Sequence, residues 1–590
     1  MNYKNFLLRF FAAVGLILPF VLGVGAWTLW HQGLIEYHPP KELPDEIILS
    51  LDLTVPLEEQ AGSFRLSLPS LIEDSEGQAF FPLVLAIQEA AKDKRVRAIV
   101  AELGPYGPSL VHAQELAAVL EGFRKTKKPS YIFAPTYGAF GPGGNATYYL
   151  ASQFEHIWLQ PVGSVGLTGI GVEAPFFKSA FEEWGIETDF LRRKDYKSVM
   201  ENISRDSFSP TVKQNMQAML ASLSSQLSSG IALARGVDPS NAAKWMAEGP
   251  YTAAESLTAK LVTHIGYKDE IEDELKKKFG KDAEMVDAAT YLYMKNDERD
   301  DDPKAKVALI HAQGAIVDAS PSHMTDEQVI DAPSIIEAFH TAVEDKDIKA
   351  VLFRVNSPGG SPIASESMRR AIMLAKKAGK PVFVSMGEVA ASGGYWIAMD
   401  GSRIIADPAT ITGSIGVVAG KPVFGKLMEK LGIKWDSFET SENATMWSSR
   451  HKFTKEQRSR MNAMLDDTYQ TFIKNVSEAR KIPLEKMEDV AGGRVFTGED
   501  ALKVGLVDEL GGLNSAVKAL KKELKLKETD KIALIPLPEP ETPRSMMMQF
   551  IKEFFSSYTL LRNFYGTAVK WRNYFSGGIK AQLPVWAIGR

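Results

Sequence analysis

Hydrophobic and polar positions along this chain follow two periods in turn. Short apolar runs, "KVALIHAQG" (306–314), "KAVLFRVN" (349–356), "PVFVSM" (381–386) and "RIIAD" (403–407), read as buried strands. Between them, "SIIEAFHTAVED" (334–345) and "SESMRRAIMLAKKAG" (365–379) read as helices, and another helix begins at "SGGYWIAM" (392–399). Strands and helices in alternation predict an α/β fold with parallel β layers covered by helices. The earlier part of the chain has the same order, in "LVLAIQEAAKD", "RAIVAEL", "HAQELAAVLEGFRKT", "PSYIFAP", "NATYYLAS" and "HIWLQPVG" (83–163).

The two parts also agree residue by residue. A constant offset of 247, without gaps, pairs Tyr148 with Tyr395, Gly166 with Gly413, Pro175 with Pro422, Gly185 with Gly432 and Asp189 with Asp436. Glycine and proline fix unusual backbone angles, so matched ones mean matched turns. The chain is therefore read as an internal duplication. One repeat covers 45–295 and the other 307–535, joined by the acidic linker "NDERDDDPKAK" (296–306).

Duplication provides a control for chemistry. Where the copies differ in a reactive group, packing alone does not explain that group. Ser392 faces Asn145, and Ser414 in "TGSIG" faces Leu167. Gly393 and Gly394 face Ala146 and Thr147, whereas Lys197 in "RKDYKSV" faces Ala444. The polar groups are complementary, as if one site were divided between the repeats.

A serine hydroxyl needs a base to become a nucleophile. None of the nine histidines lies in the glycine-rich motifs. A lysine can serve if it is neutral, but only about one solvated lysine in a thousand is neutral near pH 7.5. Burial favours the neutral amine, and a second hydroxyl such as Ser414 could orient it. Acyl transfer also needs N–H donors for an oxyanion. Gly359 and Gly360 in "RVNSPGGS" and Gly393 after the serine are the candidates, with the start of the 393 helix adding its dipole. Taken singly, these motifs also read as a helix cap, a loop, a turn and a solvated charge. Their joint occurrence in an α/β order gives them weight.

The remaining features concern location. From Phe10 to Trp30 the chain has 21 residues without a charge, and about 20 apolar residues span a bilayer as a helix. Lys4 and Arg9 precede it, which places residues 1–9 in the cytoplasm and the rest across the membrane. Its length and the lack of a small-x-small site favour an uncleaved anchor over a signal peptide. Residues 544–590 carry seven basic side chains against Glu553 alone, a formal +6 that leaves −11 for the rest of a chain at −5. With aromatics at helical spacing, this tail reads equally as a membrane-surface segment or a helix docked on protein. The small net charge gives no case for nucleic acid. The absence of cysteine excludes thiolate metal sites, disulfides and a cysteine nucleophile.

"RVNSPGG", "VSMGEVAASGGYW" and "TGSIGV", with "DYKSV" in the other repeat, closely resemble the long form of the signal peptide peptidase A family, membrane-anchored bacterial serine proteases. The resemblance covers roughly residues 45–535 and the anchor. It implies Ser392 as nucleophile, Lys197 as general base and Ser414 as the group that positions the lysine. It implies a Clp protease/crotonase-like fold in the inner membrane, with the catalytic body on the periplasmic side and no cofactor or metal. It also implies a ring-like homo-oligomer, a tetramer. Its substrates would be cleaved signal peptides, misfolded exported proteins and other unfolded polypeptides. The same residues also admit two other readings, a crotonase-type acyl-CoA enzyme and a non-catalytic membrane scaffold.

Overall fold

A computed structural model describes residues 42–59, 78–104, 107–138, 143–280, 282–297, 302–319 and 329–538. The expected cytoplasmic segment 1–9, the anchor 10–30 and the tail 544–590 lie outside these residues. Among the described residues, no helix is long and apolar enough to cross a membrane.

Each repeat is built on a parallel six-strand path. In the first, the spatial order is His264–Ile265, His156–Leu159, Ser130–Ala134, Val96–Leu103, Ile47–Leu53, Glu284–Asp287. In the second it is Glu509–Leu510, Arg403–Ala406, Val382–Ala391, Ile348–Ser357, Ala305–Gln313, Ile532–Leu537. The topologies are the same, which is what an internal duplication requires. Equivalent side chains also do the same work. Tyr148 donates to Leu261 O at 2.8 Å and Tyr395 to Leu506 O at 2.9 Å, both from fully buried rings.

Strand interiors are buried on both faces, as expected where helices cover a parallel sheet. Val351, Leu352 and Phe353 alternate in direction, yet all three have no exposed surface. The helices Phe80–Lys92 and Leu110–Arg124 cover the first sheet, and Ala332–Glu344 and Pro362–Lys377 cover the second. The linker expected at 296–306 is shorter in the structure. The helix Ala288–Asp297 takes its start and the strand Ala305–Gln313 its end.

Two features were not legible as patterns. Each repeat carries a 26-residue helix, Pro210–Arg235 and Lys455–Arg480, capped by Ser209 and Thr454. Their buried stripes are narrow (Val212, Leu227 and Ile231 in the first), so the apolar period is faint. The second feature joins the repeats. Glu187–Arg192 of the first pairs antiparallel with Val418–Val423 of the second, Arg192 opposite Val418 and Glu187 opposite Val423. Asp189, buried within this ribbon, accepts from Phe453 N at 2.7 Å and pairs with Arg458.

A buried ionic cluster makes a second joint. Arg354, 1% exposed, donates to Glu59 at 2.8 Å through two nitrogens and to Glu115 at 2.7 Å. It also reaches Ser385 Oγ (2.8 Å) and Met386 O (3.1 Å) on the strand that leads to Ser392. Glu59 and Glu115 belong to the first repeat, so this guanidinium ties the repeats together directly beneath that strand. A fully satisfied bidentate arginine is the arrangement in which a buried charge is tolerated.

Candidate active site

Sheet register sets the two serines side by side. Val389–Ala391 pairs with Ile411–Gly413, Ala391 opposite Gly413. The next residue on each strand is therefore Ser392 and Ser414, and Ser392 N donates to Gly413 O at 2.9 Å. Both serines leave the sheet with positive φ, 56° and 51°. For a non-glycine residue this is a costly conformation that persists only when its surroundings impose it. At Ser392, with ψ −117°, it makes a sharp strand-to-helix turn into Gly393–Ala398.

The glycines after Ser392 allow that turn. A Cβ on Gly394 would lie 2.4 Å from Ser357 O, and one on Gly393 would lie 2.8 Å from Ser365 Oγ and 3.0 Å from Gly360 N. In the facing loop, a Cβ on Gly359 would lie 2.6 Å from Gly393 N, and one on Gly360 would lie 2.0 Å from Ile316 O. The three expected donors are thus brought together, but they are not equivalent. Gly359 N already donates to Ser357 Oγ at 3.1 Å. The N–H groups of Gly360 and Gly393 have no acceptor among the described residues, so these two are free to meet an oxyanion. The helix Gly393–Ala398 has only six residues. Its macrodipole is accordingly small, and the individual N–H groups matter more than the helix.

Lys197 arrives from the other repeat. The ribbon that ends at Arg192 continues with Arg193 N donating to Val417 O at 3.0 Å and Tyr196 N to Gly492 O at 3.1 Å. Arg192 returns to Lys197 O at 3.2 Å. Lys197 is 6% exposed, and its Nζ lies 2.8 Å from Ser392 Oγ, 3.0 Å from Ser414 Oγ and 3.0 Å from Ser414 O. Its pKa is lowered to about 8 because burial penalises the ammonium. The nearby carboxylate Glu201 is held by Arg192 at 2.9 Å, so it does not compensate that charge.

Several positioning residues were not singled out from the sequence. Gly493, φ 86°, packs on the lysine backbone so closely that a Cβ would lie 2.4 Å from Lys197 N. Gly416 packs on the lysine stem, where a Cβ would lie 3.3 Å from Lys197 Cδ. Arg494 lies over the Tyr196 ring, 4.4 Å from its centroid, and bonds its hydroxyl at 2.6 Å. The glycine pair in "VAGGRV" was the available signal. Beside Lys197 and Ser414 lies a cavity of about 190 Å³ with Val199, Val212, Met216 and Val495 in its wall.

The corresponding place in the first repeat is closed. Asn145 Nδ2 donates to Gly169 O at 2.6 Å, while its Oδ1 accepts from Thr168 N at 3.1 Å and Gly169 N at 3.0 Å. Leu167, the counterpart of Ser414, is fully buried. Where the second repeat presents hydroxyls to a lysine, the first fastens its own loop.

The sequence matches peptidase family S49 over residues 122–282 and 374–527, one segment in each repeat. It is 32% identical to "Protease 4" of Haemophilus influenzae over 452 residues, covering 74% of this chain and 72% of that protein. It is 31% identical to "Serine protease SPPA, chloroplastic" of Arabidopsis thaliana over 488 residues, 81% of this chain and 68% of the other. A "Putative signal peptide peptidase SppA" of Enterococcus faecium is 31% identical over 221 residues, 38% of this chain and 64% of that one. These relatives favour a protease over the acyl-CoA enzyme and the scaffold. The chain belongs to peptidase family S49 and is a serine protease.

Proposed function

We propose that the chain hydrolyses extended polypeptides by acyl transfer, with Ser392 as nucleophile and the neutral amine of Lys197 as general base. The observation that carries this reading is the 2.8 Å contact between Lys197 Nζ and Ser392 Oγ, made by a buried amine. The amine takes the hydroxyl proton as Oγ attacks the peptide carbonyl. The oxyanion meets the N–H groups of Gly360 and Gly393. The resulting ammonium gives its proton to the leaving amine, and the base-assisted attack of water then releases the acyl group. Ser414 accepts from Nζ throughout and keeps the lone pair of the amine on Ser392.

The resemblance stated above supplies the finer reading. The fold is that of the Clp protease and crotonase group, anchored through residues 10–30 with the catalytic body outside the cytoplasm, and assembled as a homo-tetramer. The substrates are signal peptides left in the membrane, and unfolded exported chains. A peptide that must reach a buried dyad is necessarily extended, which suits both classes.

The test compares wild type with Ser392→Ala and Lys197→Ala on a synthetic signal peptide and on an unfolded protein, after matching the thermal unfolding of all three. Loss of turnover in both variants supports the dyad. Activity in Lys197→Ala places the base elsewhere, and cleavage of the unfolded protein but not of the signal peptide replaces the substrate while keeping the chemistry.

A further inference from the structure

Three carboxyl groups face the buried guanidinium of Arg354. Glu59 and Glu115 take its hydrogen bonds. The third belongs to Asp407, 2% exposed, directly after the strand Arg403–Ala406. Its carboxyl meets that of Glu115, and its Oδ2 has no donor among the described residues. Two carboxylates have no hydrogen to share, so a buried contact between them requires a proton on one. An oxygen without a donor is tolerable on a buried acid and costly on a buried carboxylate. Glu115 accepts from Arg354 at 2.7 Å and from Leu513 N at 2.8 Å. Both donors favour its ionised form, which leaves the proton to Asp407.

Asp407 opens the segment that carries Ser414, and that segment is tied on both sides. Thr410 N donates to Asp407 O at 3.0 Å. From the first repeat, Gln114, next to Glu115, accepts from Ala409 N at 2.9 Å, and Gln226 donates to Pro408 O at 3.0 Å. Thr410 Oγ1 and Thr412 Oγ1 then donate to Gly387 O (2.8 Å) and Ala390 O (2.6 Å), on the strand that leads to Ser392. We propose that Asp407 is a positioning residue of this active site, a carboxylic acid that donates its proton to Glu115 of the first repeat and so fastens the Ser414 strand against the Ser392 strand.

The duplication supports the assignment. At the offset of 247, Asp407 corresponds to Gln160, and a proline follows each. Glutamine never ionises, so a neutral hydrogen-bonding side chain stands at this place in both repeats. The surroundings agree. Burial first, and the Glu115 carboxylate second, hold the Asp407 carboxyl well above the usual carboxylate range. Of the other groups about the cluster, Tyr149 and His311 are neutral at working pH. Burial raises the phenol to about 12 and pushes the imidazole down to about 4. His112 meets Glu59 at 3.4 Å and Glu388 at 3.7 Å. Arg354 is already divided between Glu59 and Glu115.

A neutral buried acid keeps a proton that the unfolded chain releases above about pH 4. Wild type therefore loses stability relative to Asp407→Asn as pH rises, by about tenfold in the unfolding constant per pH unit, until the acid ionises. Lys197 is present in both proteins, so its own titration cancels in the comparison. The positioning role rests on the parts proposed for Ser392 and Ser414, whereas the protonation of Asp407 does not.

Full-length wild type and Asp407→Asn in detergent should separate in melting temperature, the variant gaining on wild type from pH 5 to pH 8. Infrared difference spectra of the two at pH 7 in heavy water should show the carbonyl stretch of a protonated carboxylic acid in wild type alone. Parallel melting profiles, no acid carbonyl in wild type, or an Asp407→Asn chain that does not fold would overturn the proposal. On a peptide ester, Asp407→Ala should lose about tenfold in kcat with little change in KM, and Asp407→Asn should recover most of it, because its amide still donates to Glu115. An Asp407→Ala enzyme with the kcat of wild type, or an Asp407→Asn enzyme as impaired as Asp407→Ala, would overturn the positioning role. The melts and spectra need only Asp407→Asn, so they decide even where Asp407→Ala does not fold. Ser392→Ala should abolish turnover and keep the acid carbonyl, so failure of the dyad and failure of this inference are read separately.

Discussion

The proposed role of Lys197 as general base predicts a pH dependence whose size follows from the surroundings of its amine. Burial lowers its pKa from the ordinary 10.5 to about 8. About one amine in ten is then neutral at pH 7 and about nine in ten at pH 9, against roughly one in three thousand for a solvated lysine at pH 7. With a peptide ester whose acylation is slow, kcat/KM should rise about tenfold from pH 7 to pH 9, along a one-proton limb centred near 8. The same burial leaves a stability signature of opposite convenience. A lysine with a depressed folded pKa opposes folding wherever the unfolded chain holds the proton. The cost is full below pH 8, fades between pH 8 and 10.5, and reaches about 3 kcal/mol before its hydrogen bonds offset it. Lys197→Met keeps the stem and removes the charge. It should unfold at the same or a higher temperature at pH 7, with that advantage shrinking toward pH 10, while turnover falls by about 10²–10⁴-fold. A flat profile from pH 6 to 9, or Lys197→Met within tenfold of wild type, would refute the assignment of the base. A melting point several degrees lower at pH 7 would refute the premise that the ammonium is uncompensated.

Other changes separate positioning from chemistry. Ser414→Ala removes one acceptor of the amine but leaves the Ser414 carbonyl, so kcat should fall about tenfold with little change in KM or melting. Gly493→Ala forces a Cβ into the Lys197 backbone at a left-handed φ, and steady-state assays should find activity lost together with about 1–3 kcal/mol of stability by denaturant titration. Asn145→Ala should cost about 1–2 kcal/mol in the same titration through its lost loop bonds and leave kcat/KM unchanged. Arg354→Met strands Glu59 and Glu115 without their counter-charge, and calorimetry should record about 3–5 kcal/mol of destabilisation at neutral pH.

The candidate site was legible mainly because the chain contains its own comparison. Two aligned repeats exposed Ser392, Ser414 and Lys197 as departures that packing did not require. The residues that hold Lys197 in place gave little signal of their own. Gly493 and Gly416 matter through the atoms they approach, and those atoms belong to a segment more than two hundred residues away. Arg354 sat within a quoted motif, but its partners Glu59 and Glu115 lie in the other repeat and have no sequence relation to it. The helix dipole expected behind Gly393 proved slight because the helix ends after six residues.

Local order determined the α/β alternation and the reactive residue types, because hydrophobic period and turn chemistry are properties of short windows. Tertiary structure decided what pairing across windows decides. It set Ala391 opposite Gly413, so that two serines emerge together. It laid Glu187–Arg192 on the other repeat, so that a lysine reaches them. It also took Gly359 N–H out of the donor set by giving it to Ser357. A serine and a lysine 195 positions apart become neighbours only through strand register, which arises from the packing of whole sheets and is written in no single stretch of the chain.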